Sequence, residues 1–175
     1  MKPMGLQQKD SEAEMSGRKP QLILFGSEPA ALEELKPFSA TLPYVDYEVG
    51  YGPQVVAKAH LDAFWVTLMG AVELFGAAPP FPLHRAQVLQ TPPVQLAKGF
   101  PRYGIAGVAV PQGAPRTPEG DLRLVISALL EAVQGFNSQN EDQILRVGIL
   151  PDDLELKRLK PETAFKIIRE VYEAA

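Results

Sequence analysis

The chain has 175 residues, 46% apolar and 22% charged, with 17 basic against 21 acidic side chains and a formal charge of −4. That composition suits one domain of ordinary size and excludes wholesale disorder, fibrous repeats and a strongly basic surface for duplex nucleic acid. Cysteine is absent, which removes disulfides, thiolate metal sites and cysteine nucleophiles together.

Residues 1–20 are polar and aperiodic and read as a disordered tail, leaving 21–175 as a single domain. No apolar run reaches signal-peptide or bilayer length, so the expected location is cytoplasmic, with no membrane partner. Order begins at Gln21. Leu22-Ile23-Leu24-Phe25 is a continuous apolar block closed by Gly26-Ser27, the pattern of a strand buried on both faces. A helix follows from Pro29 to about Lys36, with Leu32 and Leu35 inward and Pro37 as its stop.

Residues 44–49 are rich in strand formers, and residues 54–60 space Val55, Val56 and Ala59 as a short helix. Ala63-Phe64-Trp65-Val66 is the next buried strand. Glycines and prolines then confine any helix to about 71–75. Residues 85–90 predict a strand cut off by Thr91-Pro92-Pro93, and the small, glycine-bearing 103–110 suits a crowded interior strand.

The last third is the most legible. Thr117-Pro118 supplies an N-cap and a first-turn proline, with Glu119 and Asp121 at the positive helix end. Leu122, Val125, Ile126, Leu129, Leu130 and Val133 then mark one helical face. A polar turn over 137–142, a strand over 144–150 and a helix from Pro161 complete the chain. Strand–helix alternation at this spacing predicts a three-layer α/β domain around a mostly parallel mixed sheet.

Chemistry-bearing motifs are few. His60 and His84 lie far apart without metal-ligand spacing and read as surface or core-edge residues. No nucleophile elbow, Walker loop or dinucleotide fingerprint occurs, and no cofactor is expected. Gly104-Ile105-Ala106-Gly107 falls inside a strand pattern, so its glycines read as close packing, not as a phosphate turn. Asp152, Asp153 and Glu155 follow the 144–150 strand, where open α/β sheets hold ligands, but Lys157, Arg158 and Lys160 beside them suit a solvated loop. Arg116 precedes a helix N-terminus that either binds an anion or merely closes a Pro-rich connector capped by Thr117.

From Asp62 onward the order of elements resembles that of macro domains, the α/β modules that bind ADP-ribose. Asp62-Ala63-Phe64-Trp65-Val66 is similar to a family strand reading Asp-Ala-Ile-Val-Asn, and residues 103–137 resemble its strand and long helix. The resemblance implies a macro-like fold but not the family's activity. Val66 and Met69 stand near its strand-end asparagines, Tyr51 aligns with its adenine-reading aspartate, and residues 70–76 replace its glycine-rich loop. Asp152, Asp153 and Glu155 stand where its second phosphate loop lies and would repel a diphosphate.

Two readings follow. The first is a non-catalytic interaction module with a protein partner or self-association, supported by Pro-rich loops and by Phe81 and Phe100 as exposed aromatics. The second is a small-ligand or nucleotide binder, or a hydrolase, using Tyr51, Thr67, Gly70, Arg116, Asp152 and Asp153 at the carboxyl ends of the strands. Neither calls for nucleic acid.

Overall fold

The computed structural model describes residues 17–26, 29–49, 59–150 and 158–175. In chain order these form β1 (Gln21–Gly26), α1 (Pro29–Ser39), β2 (Val45–Val49), β3 (Ala63–Val66), α2 (Leu68–Phe75) and β4 (Gln87–Gln90). There follow α3 (Pro93–Ala97), β5 (Tyr103–Ala106), α4 (Pro118–Gln139), β6 (Arg146–Ile149) and α5 (Pro161–Ala174). The strands make one sheet in the order β2-β1-β6-β3-β5-β4. Every neighbouring pair is parallel except β4 with β5. The mostly parallel mixed sheet expected from the sequence is therefore present.

Strand periodicity divides the core into two faces. Leu22, Leu24, Trp65, Ile105, Val147 and Ile149 point to one side, where they meet Leu35 of α1, the apolar stripe of α4 and Phe165 of α5. Ile23, Phe25, Phe64, Val66 and Ala106 point to the other, against Ala71 and Phe75 of α2. Helices flank both faces, an arrangement consistent with a three-layer α/β fold. The stripe of α4 is the largest single contribution. Leu122, Ile126, Leu129 and Val133 are completely buried, each worth about 1.5–3 kcal/mol of burial.

Several local expectations yield to tertiary contacts. Pro37 does not stop α1, which continues to Ser39. The missing proline N–H removes one bond, but the Ala40 N–H still closes the last turn on the Lys36 carbonyl at 2.9 Å. Phe38 in that turn stacks on Phe165 with ring centroids 6.4 Å apart. α2 starts at Leu68 and not near residue 71, because Thr67 caps it and Gly70 falls harmlessly in the first turn. α3 was not expected, since Thr91-Pro92-Pro93 reads as a breaker. Yet proline at a first helical position costs no bond, and Pro93 opens the helix.

β5 and β6 are shorter than their apolar runs, and Asn137 belongs to α4, not to a turn. The helix expected over residues 54–60 falls mainly outside the described residues. The tail boundary also shifts. Residues 17–20 are bound to the domain: Asn137 donates to the Arg18 carbonyl at 3.0 Å, and the Tyr172 hydroxyl donates to the Pro20 carbonyl at 2.8 Å. Gly17 has φ +78° and lies so close to the Gln134 carbonyl that no side chain fits there. Residues 1–16 lie outside the described residues.

Candidate functional site

β6 lies between β1 and β3, so the chain leaves β1 toward β2 on one side and β3 toward β5 on the other. That divergence creates a switch point, and open α/β sheets place ligands outside the carboxyl ends of the strands there. The described part of this region comprises the exits of β3 and β5 with the loops that follow.

Thr67 is the first residue after β3. Its Oγ1 accepts a hydrogen bond from the Gly70 N–H at 3.0 Å, satisfying one of the open donors at the start of α2. Gly76 closes the same helix as a left-handed C-cap. On the neighbouring strand, the Gly107 N–H donates to the Val66 carbonyl at 2.8 Å and continues the β3–β5 ladder past the strand ends. Thr67 Oγ1 and the Gly107 N–H at these two strand ends are thus engaged within the fold.

Arg116 is also paired within the chain. Its Nε donates to Asp121 Oδ1 at 3.1 Å, and Thr117 Oγ1 accepts from the Gly120 N–H at 3.0 Å. Asp121 is buried in the first turn of α4. An anion slot at a helix N-terminus needs free N–H groups and a free cation. Here Arg116 is paired with a carboxylate of the chain itself, and the Gly120 N–H is taken by Thr117.

Of the six residues expected to form a site, the structure joins Thr67 and Gly70 through one hydrogen bond and pairs Arg116 with Asp121. Tyr51, Asp152 and Asp153 lie outside the described residues. His60 and His84 are both exposed with φ of 54° and 61°, and the His84 N–H donates to the Ala109 carbonyl at 2.8 Å. Among the described residues no three His, Cys, Asp or Glu side chains converge on a metal position. No described helix is long and apolar enough to cross a membrane.

The glycines of β5 serve packing. A Cβ on Gly104 would lie 2.5 Å from the Phe75 ring, so the missing side chain lets α2 rest on the sheet. Phe75 in turn meets Phe100 edge-on at 6.4 Å. Phe81 and Phe100 are therefore not the exposed docking aromatics expected; both are partly buried. Among the described residues the large exposed apolar side chains are instead Met69 and Val72 on α2, Leu83, Val94 and Leu96 around β4 and α3, and Leu145. The signal that marks this surface is charge. Residues 86–97 contain no charged side chain, and between residues 63 and 85 only Glu73 and Arg85 carry formal charge.

A cavity of about 520 Å³ lies between α4 and α5 on the helical layer. Two of its charged groups are paired: Arg123 Nη2 lies 2.6 Å from Glu170 Oε2, and that hydrogen bond holds the Glu170 carboxyl below the usual carboxylate range. Ser127 lines it as well, but no histidine stands among its lining residues to activate a hydroxyl. No family model matches the chain, and no curated protein or solved structure matches it significantly.

Proposed function

We propose that this chain is a macro-like binding module that lacks the ADP-ribose site and works by protein contact instead of catalysis. One observation carries the reading: three polar groups near the described strand ends are engaged internally, while the surface beside them is apolar. Thr67 caps α2, Gly107 is bonded to Val66 and Arg116 is paired with Asp121. Met69, in the first turn beyond β3, is 70% exposed. A working small-molecule site concentrates convergent polar groups in an apolar cleft, the reverse of this distribution.

The test is isothermal titration with ADP-ribose at low ionic strength, where a charged ligand is favoured. No heat of binding is expected. A dissociation constant below about 10 μM, equivalent to about 7 kcal/mol, would overturn the reading and bring forward a ligand-binding or hydrolytic role.

A further inference from the structure

The sheet ends on β4, and the hydrogen-bonding pattern shows what that edge offers. The Thr91 N–H donates to the Arg102 carbonyl at 2.9 Å, so residues 91 and 102 form a hydrogen-bonded antiparallel pair. Alternation along the register Gln87↔Ala106 to Gln90↔Tyr103 directs the N–H and C=O groups of Gln87 and Leu89 toward β5. Those of Val88 and Gln90 face outward, and no described strand pairs with that edge.

Sheet edges are ordinarily protected by charged side chains, proline or a bulge. β4, Gln-Val-Leu-Gln, contains none of these and lies within the uncharged run 86–97. Exposed apolar residues flank it on both sides, with Leu83 at 53% before the strand, and Val94 at 66% and Leu96 at 44% after it. A chain of net charge −4 repels its own copies, and this uncharged edge adds no like-charge contact when two copies approach along it.

We propose that β4 pairs antiparallel with β4 of a second copy of this chain, joining two six-stranded sheets across a two-fold axis. The geometry follows from the outward groups. Val88 of one copy faces Gln90 of the other, giving four interchain backbone hydrogen bonds around a central Leu89–Leu89 contact. The contact is isologous, so it closes at two copies and does not propagate. Four bonds make a short ladder, and the flanking Leu83, Val94 and Leu96 supply the apolar area that edge pairing alone lacks. The proposal deepens the protein-contact reading by naming its partner.

Sedimentation equilibrium of the intact chain between 1 and 200 μM tests it, together with hydrogen exchange of the Val88 and Gln90 amides. The expected result is twice the 19.1 kDa chain mass at the upper concentrations. Protection of those two amides should rise with concentration. Gln90→Pro removes one outward N–H per copy without touching the β5 ladder and should weaken association at least tenfold. Gln90→Ala keeps the N–H and should associate nearly as the native chain does. A monomer throughout the range overturns the proposal, as does a dimer that Gln90→Pro leaves unchanged. If Gln90→Pro fails to fold, amide protection in the native chain decides: exchange at Val88 and Gln90 independent of concentration excludes this edge. A monomer that also ignores ADP-ribose removes only the self-pairing. ADP-ribose binding removes the protein-contact reading whatever the mass.

Discussion

Asn137, buried in α4, holds both backbone groups of Ile144. Its Nδ2 donates to the Ile144 carbonyl at 2.9 Å, and its Oδ1 accepts from the Ile144 N–H at 2.7 Å. The same Nδ2 reaches the Arg18 carbonyl, so one side chain joins the approach to β6 with the approach to β1. Asn137→Leu would leave the Ile144 N–H and carbonyl and the Arg18 carbonyl without this partner, at about 1–3 kcal/mol for each group that stays buried. A total loss of about 2–6 kcal/mol in urea melts is expected; a loss below about 0.5 kcal/mol would mean that water replaces the clamp.

The centre of α4 sets the stability of the whole domain. Ile126 and Leu129 are completely buried against the sheet. Ile126→Ala and Leu129→Ala should each cost about 2–5 kcal/mol, because the cavity adds to the lost transfer energy. Denaturant midpoints at unchanged slope would confirm it.

The residues before β1 contribute to stability. Lys19 Nζ donates to the Tyr172 carbonyl at 2.9 Å, and the Tyr172 hydroxyl holds Pro20. A chain beginning at Gln21 should melt several degrees below one beginning at Gly17, since each kcal/mol moves a domain of this size by about 2–4 °C. Equal melting temperatures would return residues 17–20 to the tail.

Tyr172 also gives the fold an alkaline limit. Its ring stacks on Tyr44 at 3.7 Å, and burial first, then the neighbouring Tyr44, pushes its phenol up to about 12. The fold therefore favours the neutral phenol. This contribution is complete below the unfolded value near 10 and is lost as pH rises toward about 12. Denaturant melts from pH 9 to 12 should show falling stability, with a shallower fall in Tyr172→Phe. An identical slope in the variant would assign the decline elsewhere.

Gly104 and Phe75 form a coupled pair. Gly104→Ala should destabilise by about 1–3 kcal/mol through overpacking against the ring. In a Phe75→Leu background the same change should cost markedly less. Additive costs in a double-mutant cycle would show that α2 does not rest on this glycine.

Where an element was legible in the sequence, one local pattern sufficed. The apolar block before Gly26 and Ala63–Val66 announced strands buried on both faces, and Thr117-Pro118 with the stripe to Val133 announced α4. The candidate site was less legible. Thr67 and Gly70 follow β3 and Arg116 precedes α4, but the bonds that join Thr67 to Gly70 and Arg116 to Asp121 leave no signal in the residue pattern.

The sequence by itself determined the alternation of strands and helices and which face of each element is apolar, because both follow from periodicity within one segment. It also marked the uncharged run 86–97. Only the tertiary structure decided that this run forms the sheet edge, that Gly104 makes room for Phe75, and that Asn137 is a buried clamp instead of a turn residue. The physical reason is distance along the chain. Asn137 and Arg18 are separated by 119 positions, and a hydrogen bond between groups so far apart leaves no trace in the spacing of either segment.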